Sequence, residues 1–106
     1  MARRRRTGSP RFSSSDSLLD SEPVATIDLH GLGVEEARRS LTTVLSTLRR
    51  RHAGGVVHIV TGKGRGSAAG PVLKPLVRQL LQGPLSSLVR DTTEDATGGG
   101  YRVRLR

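Results

Sequence analysis

The chain has 106 residues, 18 of them lysine or arginine against 9 aspartate or glutamate, for a formal net charge of +9. That length holds one domain with one modest hydrophobic core, and the absence of cysteine excludes a disulfide framework and any cysteine-based zinc site. The surplus charge, almost all arginine apart from Lys63 and Lys74, points to a polyanionic partner, of which nucleic acid is the usual one; the plainer alternative is charge that keeps a small protein soluble.

Residues 1–23 read as a disordered Arg/Ser-rich tail, with too few apolar side chains to offset the entropy of ordering. Met1 to Arg6 opens like a secretory signal, but Ser13-Ser14-Ser15-Asp16 follows where an apolar core would stand. No stretch reaches the roughly 20 apolar residues of a membrane span, so a cytoplasmic protein without membrane association is expected. The four-arginine run is either a non-specific phosphate binder or a solvated tail.

The folded part is expected over 24–106. Val24 to Leu29 reads as a strand, and Gly31 and Gly33 punctuate it. Val34 to Arg51 reads as a helix, with Val34, Ala37, Leu41, Val44, Leu45 and Leu48 at helical spacing. Glu35 and Glu36 in its first turn and Arg49, Arg50 and Arg51 in its last match the helix dipole. Val56 to Val60 is a second, mostly apolar strand, followed by the glycine-rich loop Thr61 to Ser67. A second helix is expected from about Pro71 to Gln82, with Leu73, Leu76, Val77, Leu80 and Leu81 on one face; Pro75 predicts a start a residue or two later. Ser87 to Arg90 reads as a short third strand, Asp95 to Gly100 as a turn, and Tyr101 to Arg106, which alternates strictly, as the fourth strand. The order β-α-β-α-β-β predicts an α/β (α+β) sandwich: a four-stranded mixed sheet whose first two strands are parallel. Two helices with one apolar stripe each should share one face of the sheet and leave part of the other accessible.

Three features can carry chemistry. Side chains alternate along a strand, so Asp28 and His30 should project together from the carboxyl end of a parallel strand, where open sheets place ligands. A carboxylate beside an imidazole can orient a general base, activate water or hold a divalent metal; the alternative is a turn in which Asp28 bonds loop amides and His30 packs at a helix start. The glycine loop ends the neighbouring strand and should meet this pair at the same sheet edge. Gly62, Gly64 and Gly66 permit positive φ and a close backbone approach, and successive amides there can cradle an anion, with Lys63 and Arg65 adding charge. The alternative is an ordinary glycine-rich connection. The spacing fits neither a Walker A loop nor a dinucleotide-binding loop, so no nucleotide cofactor is expected.

Arg102, Arg104 and Arg106 should project from one face of the last strand, either as a ribbon that tracks phosphates or as charges that protect an edge strand. Tyr101, Val103 and Leu105 should face the helices. Phe12 and Tyr101 are the only aromatic residues, which argues against base stacking and for recognition of shape and backbone. His58 could flank the Asp28–His30 site or be structural, and His52 caps the first helix.

Ile27-Asp28-Leu29-His30-Gly31, then His58-Ile59-Val60-Thr61-Gly62-Lys63-Gly64 with Ser67 shortly after, then Val72-Leu73-Lys74 and Gly98-Gly99-Gly100 before a closing strand, together resemble the small MutS-related (Smr) domain. The resemblance covers about residues 24–106. It implies a fold like the C-terminal domain of translation initiation factor three, and binding of DNA or RNA of unusual structure. In several relatives it also implies endonucleolytic cleavage. The alternative it leaves is a non-catalytic nucleic-acid- or ribosome-associated module. It implies activity at Asp28 and His30, and binding or activity at Thr61, Gly62, Lys63 and Gly64; Arg65, Arg102 and Arg104 join that nucleic-acid-binding set on charge. Nucleolytic relatives often carry His-Gly-x-Gly where this chain has Thr61-Gly62-Lys63-Gly64, many have a histidine at the position of Gly66, and a small residue is usual at Tyr101. Their metal requirement is not uniform: magnesium or manganese is compatible with the pattern, and the sequence has no dense carboxylate cluster to assign a metal to.

Overall fold

Apolar residues recurring every second or every third to fourth position set the elements of the fold. A computed structural model of the chain describes residues 18, 19, 21–62 and 70–106. The elements are β1 (Ala25–Asp28), α1 (Val34–Arg51), β2 (Val56–Val60), α2 (Gly70–Gln82), a single 3₁₀ turn (Ser86–Leu88), β3 (Val89–Glu94) and β4 (Gly100–Leu105). They form one four-stranded mixed sheet in the order β1-β2-β4-β3. β1 pairs parallel with β2, and β4 pairs antiparallel with both β2 and β3. The expected α+β order and mixed sheet are what the chain adopts.

The last strand is therefore internal. Arginines on β4 cannot serve as guards of an open edge, because β1 and β3 hold the edges. β3 also differs from expectation. The residues read as a strand from Ser87 begin with the 3₁₀ turn, and the strand runs on through Asp91, Thr92, Thr93 and Glu94. An edge strand needs only one covered face, so polar and β-branched residues suffice there. Its pairing with β4 shifts register between Val89 and Asp91.

α1 begins at Gly33, whose extended backbone donates its N–H to the Glu36 carboxylate at 3.4 Å. It ends where the His52 N–H bonds the Leu48 carbonyl at 2.7 Å. Ala37, Leu41 and Leu45 are its buried stripe, with Val34 and Leu48 packed beside them. Val44 lies off the stripe and is exposed. α2 starts at Gly70, earlier than expected, and carries Pro75 inside it. A proline so near a helix start forfeits one hydrogen bond, and burial of Leu73, Leu76, Val77, Leu80 and Leu81 offsets the loss.

One core lies between these helices and one sheet face. It joins Ile27, Val57, Ile59, Tyr101, Val103 and Leu105 of the sheet to the buried stripes of α1 and α2. The opposite face carries Thr26, Asp28, His58, Arg102, Arg104 and Thr93, in the rows set by the strand registers. This second face is not bare. Leu18, from the stretch read as tail, is fully buried. Arg102 Nη1 donates to the carbonyls of Leu18 at 3.3 Å and of Ser21 at 3.0 Å, which ties the segment to the sheet. Residues 1–17, with the four-arginine run, lie outside the described residues. Replacing Leu18 by Ala should lower stability by about 2 kcal/mol, read as an earlier urea midpoint at unchanged slope; an unchanged midpoint would mean the segment is not docked. Among the described residues, no helix is long and apolar enough to cross a membrane.

Candidate functional site

At the carboxyl end of β1 the strand alternation sends Ile27 and Leu29 into the core and Asp28 and His30 outward. The chain stays extended far enough for the Leu29 N–H to bond the Val60 carbonyl at 2.7 Å. Asp28 Oδ1 lies 2.6 Å from His30 Nδ1 and also accepts the His30 backbone N–H at 3.1 Å. Both side chains are more than half exposed, at 54% for Asp28 and 68% for His30, so a ligand can reach them. The hydrogen bond from the His30 side chain holds the Asp28 carboxyl below the usual carboxylate range; partial burial opposes this, and the His30 amide and the imidazole charge reinforce it.

The glycine loop leaves β2 beside this pair. Gly62 has φ +82°, and a Cβ there would stand 3.3 Å from the His30 Cβ. The bare backbone of Gly62 thus passes against the histidine. Thr61 is placed otherwise than a ligand-binding hydroxyl would be. It is 1% exposed, and its Oγ1 lies 3.2 Å from both the Gly62 and the Gly99 carbonyls. The Gly99 carbonyl also accepts the N–H groups of Thr61 and Gly62. Thr61 pins the loop to the turn before β4. Lys63, Gly64 and Arg65 lie outside the described residues.

The arginines of β4 do not form a uniform ribbon. Arg102 is four-fifths buried, its side chain 19% exposed; besides the two carbonyls it holds, its Nε lies 3.7 Å from Asp95 Oδ1. Arg104 Nη1 donates to the Gly54 carbonyl at 2.8 Å, at the other end of the sheet from Asp28. His58 stands opposite Thr26 rather than Asp28. Its Nε2 lies 3.5 Å from Asp95 Oδ1, toward β3 and β4, so it does not flank the Asp28–His30 pair.

Asp95, read from sequence only as a turn residue, thus gathers His58 and Arg102 about one carboxylate. Its spacing to Thr97 was the one available signal, since an Asp-x-Thr turn folds the hydroxyl back onto the carboxylate. The Thr97 hydroxyl holds the Asp95 carboxyl below its usual range; burial opposes it, and the His58 charge and the amides of Thr97 and Ala96 assist. A depressed folded-state value means this group stabilises the fold fully above about pH 4. The contribution disappears as pH falls through the depressed value. Asp95→Asn should flatten that acid limb of the stability curve; an unaltered limb would assign it to other carboxylates.

Among the described residues, no group of three or more histidine, cysteine, aspartate or glutamate side chains comes together in a way that could hold a metal ion. Asp28 and His30 offer two donors, already bonded to each other.

A family model described as Smr domain matches residues 27–103 of the chain. An uncharacterized protein of Treponema pallidum (strain Nichols) is 39% identical over 82 residues, which is 76% of this chain and 40% of that protein. The chain therefore spans less than half the length of that relative. No solved structure matches.

Proposed function

The chain belongs to the Smr domain family, which implies nucleic-acid binding, and from that premise we propose that it is an endonuclease acting on structured DNA or RNA at the Asp28–His30 pair. The observation that carries this reading is the 2.6 Å contact between Asp28 Oδ1 and His30 Nδ1 on an exposed edge, beside the backbone of Gly62. With Nδ1–H bonded to the carboxylate, Nε2 is the basic nitrogen and is available to an incoming group. Asp28 fixes the ring and stabilises the imidazolium that forms. His30 Nε2 takes the proton from an attacking water or ribose hydroxyl as its oxygen bonds to phosphorus. The bond from phosphorus to the leaving oxygen breaks, and that oxygen is reprotonated. Lys63 and Arg65 of the glycine loop neutralise the phosphate charge.

A second reading, a binding module without catalysis, has one observation in its favour. Thr61 occupies the position where nucleolytic relatives often carry histidine, and its hydroxyl is turned inward onto main-chain carbonyls. The experiment that separates the two incubates the protein with labelled single-stranded, duplex and branched DNA and RNA, with and without magnesium or manganese. Endonucleolytic product on any substrate supports cleavage. Salt-sensitive binding with no product across the panel leaves the binding module, and no binding to any member would remove both.

A further inference from the structure

The Asp28–His30 edge and a run of three exposed arginines lie at opposite ends of the described fold. β1 and β2 are parallel, so Asp28, Val60 and Gly62 share one end and Val24, Gly55 and Val56 the other. α1 runs along this axis. Its first turn, with Glu35 and Glu36, adjoins the His30 end, and its last turn carries Arg49, Arg50 and Arg51. The turn after α1 is sewn to the end of β4 by main-chain bonds from Gly54 N to Leu105 O and from Leu105 N to Gly55 O. The contact from Arg104 to the Gly54 carbonyl closes the same corner. The arginine turn, Arg104 and Arg106 are thereby gathered at one pole. Asp91 stands opposite Arg104 in the β3–β4 register.

Arg49, Arg50 and Arg51 are all exposed and have no ion-pair or hydrogen-bond partner among the described residues. One cation completes a helix C-terminus. Three in succession repel one another, and an anion across them relieves that repulsion. Consecutive helical residues fan out by about 100° each, so these guanidinium groups do not close on one small anion. They suit successive phosphates along a backbone, each met by a planar fork. Among the described residues, the near charges of the His30 end are Asp28, Glu36 and Glu35, the last paired with Arg38.

We propose that the pole formed by Arg49, Arg50 and Arg51 is a second phosphate-backbone contact, holding the same nucleic acid about 20 Å from the Asp28–His30 pair. The proposal rests on the nucleic-acid-binding reading above and adds where the anchoring charge lies. At about 3.4 Å per base step, the separation corresponds to about six base pairs. The substrate is then a helical or stacked segment long enough to reach both ends.

The test is a salt titration of binding to a labelled 30-base-pair duplex, using the full chain. Arg49→Gln/Arg50→Gln/Arg51→Gln is compared with Arg38→Gln/Arg39→Gln/Arg78→Gln, which removes the same number of charges elsewhere. The slope of log affinity against log salt should fall by about 2 to 3 in the first variant and by less than about 1 in the second. Arg50→Glu alone should lower the slope in the same direction, which keeps the test open if the triple variant folds poorly. Equal changes in both triple variants, or an unchanged slope in the first, would overturn the proposal while wild-type binding preserved the broader reading. A wild type that ignores the duplex and RNA but binds phosphatidylserine vesicles would overturn both.

Discussion

Gly100→Ala is expected to leave the protein unfolded or close to it. Gly100 pairs with Val60 at the end of the pairing between the two inner strands, and a Cβ there would overlap the Ile59 carbonyl oxygen and fall 3.0 Å from its carbon. Those are main-chain atoms of β2, so no rotamer relieves the overlap. β4 would have to separate from β2, and both turns that meet there, at Thr61 and at Gly99, would lose their bonds. The expected cost is about 4 kcal/mol, against a total stability of about 5 kcal/mol for a domain of this size. Gly98 is the control. It has φ +79° but nothing within 4 Å of its Cβ position, so Gly98→Ala should cost only about 1 kcal/mol of left-handed strain. Thermal or urea melts of the two variants check the contrast. A Gly100→Ala protein as stable as Gly98→Ala would contradict the β2–β4 register.

The second large effect falls on function. His30→Ala should lower cleavage by about a hundredfold to ten-thousandfold, the range of a lost general base, with little change in binding because the side chain is exposed and, among the described residues, hydrogen-bonds only to Asp28. Asp28→Asn should lower cleavage by about ten- to a hundredfold, as a lost orienting partner does, and should leave binding unchanged or slightly tighter, because it removes a negative charge from a phosphate-facing edge. The Asp28 carboxyl is held below its ordinary range by His30, so it remains ionised at every pH above about 4. Loss of cleavage on acidification between pH 4 and 7 therefore belongs to another group.

Local pattern carried much of this structure, and long-range contact decided the rest. The span of α1 and the span of β2 follow from periodicity and charged helix ends, and the meeting of Asp28 with His30 follows from strand alternation alone. Thr61 was legible as a loop residue, but the inward turn of its hydroxyl depends on the Gly99 carbonyl, 38 positions away. Arg102 was placed on the correct face of its strand. What buries it comes from Leu18 and Ser21, more than 80 positions earlier, and no spacing rule reaches that far. β3 runs longer than its pattern predicts for a different reason. Asp91-Thr92-Thr93-Glu94 has no apolar alternation, and only its place at the sheet edge makes it a strand. Asp95 shows the same limit, since its partners His58 and Arg102 come together only once β2 and β4 are paired.

Cleavage at the exposed Asp28–His30 pair, on nucleic acid held by the rest of the domain, is the proposal on which the function rests. The most direct measurement is single-turnover cleavage of the best-bound substrate by wild type and His30→Ala, with affinity measured on the same substrate. The expected result is product from the wild type, a loss of at least about a hundredfold in the variant, and affinities within about threefold of each other. Equal cleavage by both proteins, or a variant that loses affinity and cleavage together, would contradict it.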